Sequence, residues 1–242
     1  MRFSIRNHGP STKGYLALSL FMASLGCAPG QFTTVTLYDT PNAFVRLETD
    51  PTLDQGQGHS HPVTITPDQV AAMLHGVIIE EPIVRLPLYD DMSQPHRHRV
   101  FDGQTIALFA PLLALGLSKA TPEEVVTFYQ SKRISGTRRE VTSGGLFVQE
   151  DALHIILGNY RSPTNYLADI GVADMADDRL TPMRALAPQR GRLDFEPPKA
   201  LQPPSVSGWR KFLQEDKREL AVFFHKLPPL PLSTLHSSDT TP

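Results

Sequence analysis

The chain has 242 residues, with 23 Lys and Arg against 25 Asp and Glu, a formal charge of −2. That balance excludes a protein built to neutralise nucleic-acid phosphates, which needs a basic surplus. The single cysteine, Cys27, excludes an internal disulfide, and a chain of this length buries a sizeable core without one.

Residues 1–26 stand apart from the rest. Arg2, Arg6 and Lys13 precede an apolar run of 11 residues, Tyr15–Leu25, and no Asp or Glu occurs before Asp39. A helix crossing a bilayer needs about 20 apolar residues. A basic start, a short apolar stretch and a small-residue boundary describe a secretory signal peptide instead. The Ser24-Leu25-Gly26-Cys27 boundary resembles the lipobox of bacterial lipoprotein precursors, with its Leu and small residue in the reverse of their usual order. The resemblance implies that the Cys27 thiol receives a diacylglyceryl group and that a dedicated signal peptidase cuts just before it. An ordinary signal peptidase would cut the same bond and leave the thiol unmodified.

Two or more acyl chains hold a protein stably to a membrane, whereas one does so only marginally. The expected organisation is a signal peptide over 1–26, then a lipidated Cys27 and a short tether over 27–33. That tether reaches about 20 Å at most. A single globular domain over 34–227 and a disordered tail over 228–242 follow. The signal carries three basic and no acidic residues, so the remainder has a charge of −5. The expected location is the cell envelope facing the periplasm, and Ala28 after the cysteine favours the outer membrane over the inner. The partners expected are the membrane itself and an envelope protein or cell-wall component, with no nucleic acid.

Along the domain, Thr33–Tyr38 and Ala43–Glu48 read as strands broken at Thr40-Pro41-Asn42. Thr66-Pro67-Asp68-Gln69 is a helix start with a capping box and a proline at the first helical position. Val70, Met73, Leu74 and Val77 then give one apolar face, and Gly76 ends the helix. Ile78–Leu86 reads as a strand whose Pro82 puts it at an edge or a bulge. Asp102 caps a second helix running to about Lys119. Its apolar residues, from Ile106 to Leu117, cover most of its circumference, and Pro111 should kink or divide it. From Glu124 to Tyr160 the residues predict a three-stranded antiparallel meander: Val125–Tyr129, then Arg139–Gln149 with a bulge at Gly144-Gly145, then Leu153–Leu157.

Proline is abundant, 22 residues, and clusters between Pro182 and Pro204 and again at Pro228, Pro229 and Pro231. Because proline lacks the N–H donor, 161–204 is expected to be mostly irregular chain over the surface. A short helix after Ser207, with Trp209, Phe212 and Leu213, and a buried strand at Leu220–Phe224 complete the reading. The fold class is α+β: two helices packed on an antiparallel sheet, with long Pro-rich irregular segments.

The residue types that carry chemistry are sparse. His59-Ser60-His61 and His96-Arg97-His98 are H-x-H pairs, and imidazole is the commonest metal ligand. On extended chain the two rings of a pair point the same way. Four imidazoles, with Asp90 or Asp91, would suit Zn, Cu or Ni. The competing expectation is two solvated loops and no cofactor. His75 is expected to serve the C-terminus of its helix as a charge, with His154 and His225 as ordinary strand residues. The acidic pairs Glu80-Glu81, Asp90-Asp91, Glu123-Glu124 and Asp177-Asp178 suit solvated surface. Asp169, Asp174, Asp177 and Asp178 could hold calcium only loosely, since the alternating ligand loop is missing.

Arg138-Arg139 and Lys132-Arg133 are expected on exposed faces. Tyr160-Arg161-Ser162-Pro163 to Tyr166 is a polar-aromatic loop able to contact a partner. No nucleophile elbow, phosphate loop or dinucleotide fingerprint occurs. The reading is a non-enzymatic, membrane-anchored envelope protein with a structural, assembly or binding role. The alternative is a periplasmic metal-binding protein using His59, His61, His96 and His98, and the third is a cell-wall hydrolase working through carboxylates.

Overall fold

The structure, a computed structural model, describes residues 34–54, 56–82, 95–136, 138–165, 178–189, 191–203 and 218–235. Cys27 and the whole N-terminal segment, Asp90, Asp91, Asp169, Asp174, Asp177 and the helix expected after Ser207 lie outside the described residues. Within them the fold is α+β. Strands β1 (Val35–Thr40), β2 (Ala43–Thr49), β5 (Glu124–Ser135), β6 (Arg138–Gln149), β7 (Ala152–Asn165) and β9 (Glu219–Val222) form a six-stranded antiparallel sheet in the order β1-β2-β5-β6-β7-β9. A second, three-stranded sheet orders β4 (Arg97–Arg99), β3 (Val77–Glu80) and β8 (Arg192–Phe195).

Two helices cover one face of the large sheet. Helix α1 (Pro67–Gly76) starts with the expected capping box: Thr66 Oγ1 accepts from the Gln69 N–H, and Gln69 Oε1 accepts from the Thr66 N–H at 3.0 Å. Gly76 is its last residue for a packing reason, since a Cβ there would lie 2.4 Å from the Phe195 ring of β8. Helix α2 (Gly103–Lys119) is capped by Asp102 Oδ1, which accepts from the Thr105 N–H at 2.7 Å. It buries Ile106, Phe109, Ala110, Leu113 and Leu117 against Val126, Phe128 and Leu146 of the sheet.

The helix is less enclosed than its composition predicts. Gln104, Pro111, Leu115 and Ser118 form an exposed outer stripe, and Leu115 is 43% exposed. Pro111 does not divide the helix; on the solvent side, its missing N–H bond falls where outward carbonyls are hydrated in any case. At the other end of the chain, residues 228–235 are not a tail. The Leu230 N–H reaches the Asp68 carbonyl at 3.0 Å, and α3 (Leu232–Leu235) buries Leu235 against the helices. Residues 236–242 lie outside the described residues.

The meander is as expected, with one relocation. The register irregularities sit on β7 rather than in β6: Ser143 faces Asn159 while Gly144 faces Leu157, which leaves Gly158 as an extra residue. A second slip separates Ser162 from Asn159, where Arg161 adopts φ 45°. Strand β7 also runs on to Asn165, through the segment read as a loop. Pro163 is tolerated there because β9 pairs only with residues 153–156, so β7 is an edge strand at that end.

The opposite face of the sheet carries no helix among the described residues. Residues 178–189 lie across it as a strap held by side chains. Asn159, 1% exposed, donates from Nδ2 to Ser143 Oγ (3.0 Å) and to the Arg184 carbonyl (2.7 Å), and its Oδ1 accepts from the Leu186 N–H at 2.8 Å. Ser143 Oγ in turn donates to the Pro182 carbonyl at 2.6 Å. Arg139, expected on an exposed face, is instead drawn in. Its guanidinium bonds the buried Asp178 carboxylate at 2.9 Å and the Tyr129 hydroxyl at 2.9 Å, and Tyr129 also donates to Asp178 at 3.1 Å. Burial, and then the Asp178 charge, push the Tyr129 hydroxyl up to about 12. Beside this network Phe44 stacks on Tyr129 at 5.1 Å, and the Arg46 guanidinium covers the Phe44 ring at 3.9 Å.

Glycine also lets the backbones of β6 and β7 close up on the helix-facing side of the sheet, where Gly144 pairs with Phe128. A Cβ on Gly144 would lie 2.0 Å from the Ile156 carbonyl oxygen, a contact that only backbone movement relieves. Gly144→Ala is therefore expected to destabilise the fold by roughly 3 kcal/mol or more, read as a lowered denaturant midpoint. An unchanged midpoint would contradict the pairing of Gly144 with Leu157.

Candidate functional site

Neither H-x-H pair lies where the sequence places it. His59 and His61 are 7% and 6% exposed, so the solvated-loop expectation fails for that pair. The reason is local. The His59 N–H reaches the Pro122 carbonyl (2.7 Å), the Ser60 N–H the Val148 carbonyl (2.7 Å) and the Val63 N–H the Leu117 carbonyl (2.9 Å). The segment is thereby drawn across the start of β5, the end of β6 and the end of α2. Extended chain alternates, so His59 and His61 point inward while Ser60 stays exposed.

Asp50 fixes the first ring. Its carboxylate lies 3.0 Å from His59 Nε2 and can only accept, so that nitrogen carries the hydrogen. His59 also packs on Phe147 (4.2 Å between centroids), which stacks on His154 (4.7 Å), and His154 Nδ1 meets Glu219 at 2.6 Å. His154 is thus a paired strand residue. His225 lies in a 3-10 turn, Phe224–Lys226, rather than in a strand.

His61 is buried with neither ring nitrogen in a hydrogen bond of ordinary geometry. Burial, then the neighbouring His59, push its pKa down from 6.5 to about 4, against a smaller opposing pull from the Leu117 carbonyl and Glu124.

The second pair stands elsewhere. His98 lies on β4 and lines a cleft whose lining includes neither His59 nor His61. The four imidazoles therefore do not surround one point. Among the described residues no group of three or more His, Cys, Asp or Glu side chains is arranged to hold a metal ion. His96 contributes its carbonyl, which accepts from the Glu81 N–H at 2.8 Å.

His98 instead joins the Tyr160-Arg161 segment in a cleft of ≈ 680 Å³ between β4, the N-terminal turn of α2 and the ends of β5, β6 and β7. His98 Nδ1 lies 2.7 Å from the Pro95 carbonyl and Nε2 lies 2.7 Å from the Tyr160 hydroxyl. The carbonyl can only accept, so Nδ1 carries a hydrogen and, in the neutral ring, Nε2 accepts from Tyr160. Burial pushes the Tyr160 hydroxyl up to about 12, with Arg161 opposing, so it keeps its proton at neutral pH. Arg161 donates from Nε to Glu140 Oε2 at 2.9 Å, and its backbone N–H reaches Thr142 Oγ1 at 3.2 Å.

Sequence reasoning missed four cleft residues: Arg99, Gln130, Lys132 and Glu140. A signal for three of them was present. On the helix-facing side of β5, Val126 and Phe128 give way to Gln130 and Lys132, and on β6 Leu146 gives way to Thr142 and Glu140, their cross-strand partners. A face that turns polar in mid-strand marks where helix cover stops.

His75 also departs from expectation. Burial and the nearby Arg99 lower its pKa, so it is a poor charge for the end of α1. Arg99 takes that role, donating from Nε to the His75 carbonyl at 3.2 Å. The one described acidic residue of the loose calcium set, Asp178, is engaged by Arg139 and Tyr129. Among the described residues no helix is long and apolar enough to cross a membrane. Comparison with protein-family models, with curated proteins and with solved structures finds no match for the chain.

His61 makes the fold pH-dependent, with a definite sign. Its folded-state pKa lies below the unfolded value, so the unfolded chain binds the proton more tightly. Its neutral form is accommodated fully above pH 6.5, and that stability is lost as pH falls from 6.5 towards 4. At about 1.4 kcal/mol per tenfold of proton affinity, the full loss is on the order of 3 kcal/mol. Chemical denaturation at pH 7 and pH 4.5 is expected to show most of that difference in the parent and little of it in His61→Leu. Equal pH sensitivity in both proteins would assign the effect to other groups.

Proposed function

We propose that the chain is exported, is held to a membrane of the cell envelope by acyl groups on Cys27, and works there as a ligand-binding module rather than an enzyme. The anchor rests on the first 27 residues: a basic, acid-free start, an apolar run too short to span a bilayer, and Gly26 before the lone thiol. The anchor would face the periplasm, with the outer membrane favoured by Ala28.

One observation carries the binding reading: side chains from β4, α2, β5, β6 and β7 converge on a single open cleft of ≈ 680 Å³. That volume lies within the range of small-molecule sites. The groups gathered there favour holding over bond-making. His98 has both ring nitrogens engaged, Tyr160 keeps its proton, and Glu140 is paired with Arg161. A general base needs a free lone pair within reach of a substrate proton, and His98, Tyr160 and Glu140 are all engaged in the resting arrangement.

The anchor is tested by the intact mass of protein purified from membranes, beside a Cys27→Ser control. The expected species is residues 27–242 plus acyl groups, absent in the control. A mass for residues 27–242 with no acyl group would leave a freely secreted domain, and a mass for the uncut chain would remove the export reading as well.

A further inference from the structure

We propose that the cleft takes an oxyanion, a carboxylate or phosphate group on a small ligand, with Arg99 and Lys132 as its charge partners. This rests on the binding reading above and names the chemistry that the cleft selects. Donors and acceptors in the cleft do not balance. Cationic side chains outnumber carboxylates there, Arg99, Lys132 and Arg161 against Asp102 and Glu140, and each carboxylate already has one oxygen in a hydrogen bond: Asp102 Oδ1 accepts the Thr105 N–H, and Glu140 Oε2 accepts Arg161 Nε. The Tyr160 hydroxyl and His98 satisfy each other, and the Pro95 carbonyl takes the far ring nitrogen.

The cleft cations without a carboxylate partner among the described residues are Lys132 and Arg99. Lys132 has no carboxylate within ion-pair distance among the described residues, although Glu140 is its cross-strand neighbour, because Glu140 turns to Arg161. Arg99 uses only Nε, on the His75 carbonyl, which leaves both of its terminal NH₂ groups. Gln130 and Thr105 touch only at 3.4 Å, at the far limit of a hydrogen bond, so the Gln130 amide remains able to donate. A cleft with two cations outside any ion pair, beside the Gln130 amide, favours acceptors with negative charge, and a planar guanidinium matches the paired oxygens of a carboxylate or phosphate. A cation would be repelled by those charges, and a neutral polyol would accept their hydrogen bonds without compensating the charge.

The wall is not wholly polar. Val100, Phe101 and Ile134 line the same space, and Ile134 is 51% exposed. The ligand therefore combines an anionic head with a small apolar portion. A free metabolite-sized anion and an anionic lipid headgroup share that chemistry, and the two are separated by the choice of probe.

The test is titration calorimetry on the full chain in non-ionic detergent at constant ionic strength. The probes are inorganic pyrophosphate, a short-chain phosphatidylglycerol below its micelle concentration, spermidine and trehalose. The expected result is saturable binding of an anionic probe, weakened roughly tenfold or more in each of Arg99→Ala and Lys132→Ala. Both side chains are exposed, and an unchanged circular dichroism spectrum shows that each variant remains folded. Pyrophosphate binding alone identifies a soluble ligand; tighter binding of phosphatidylglycerol identifies a headgroup.

Anion binding that persists unchanged in both variants overturns the proposal, because the anion then sits elsewhere. Spermidine or trehalose binding that Glu140→Gln or Thr142→Ala weakens overturns the anion assignment while leaving a binding cleft in place. Silence from all four probes overturns the assignment and the binding reading together.

Discussion

The fold depends on solving one problem: the large sheet has two faces to cover and, among the described residues, only two long helices, both on the same side. The other face is closed by chain with no regular structure, and such chain brings backbone N–H and C=O groups that must find partners once buried. Asn159 supplies them. One fully buried amide bonds the Arg184 carbonyl, the Leu186 N–H and Ser143, so a single side chain does for the strap what a ladder does for a strand. Two glycines beneath belong to the same arrangement, since a side chain at 145 or 158 would run into Met183 or Pro182 of the strap.

Charge is used in the same way. Asp178 begins the described part of the strap and is buried against Arg139 and Tyr129, each of which donates to its carboxylate. Such a pair adds little over an apolar contact, but removing one partner leaves an uncompensated charge at a cost of about 3–5 kcal/mol. The pair thus ties the strap in one position rather than merely attracting it. On this face the Asn159 amide and the Asp178 carboxylate are both engaged by the protein itself. At the β4–α2 end, by contrast, Arg99 and Lys132 keep donors that the described residues do not use. That contrast separates side chains that hold the fold from side chains left for a ligand.

Much of the fold was legible in the sequence because it is written locally. The capping box at Thr66 and Gln69, the β-branched run at Val125–Tyr129 and the two-residue break at Pro41-Asn42 each determine their own element. What was not legible depends on partners far along the chain. Pro163 reads as a loop residue until β7 is known to be an edge at that end, and Arg139 reads as surface until Asp178, 39 residues away, folds over it. His59 and His61 are polar by composition, and only the bonds from Ser60 to Val148 and from His59 to Pro122 turn them inward. At the cleft, His98 and Tyr160-Arg161 were visible as isolated features. That they meet, and that Lys132 faces the same space, follows from strand pairing that no local pattern encodes.

This separation of saturated from open polar groups is tested most directly by an equilibrium unfolding comparison of four variants. If it holds, Asn159→Ala and Asp178→Ala each lose several kcal/mol, since each strands buried partners. Arg99→Ala and Lys132→Ala should stay within about 1 kcal/mol of the parent, since both side chains are exposed and the Arg99 bond to the His75 carbonyl is a surface contact. Cleft variants as unstable as the strap variants would contradict it, because Arg99 and Lys132 would then be holding the fold rather than standing ready for a ligand.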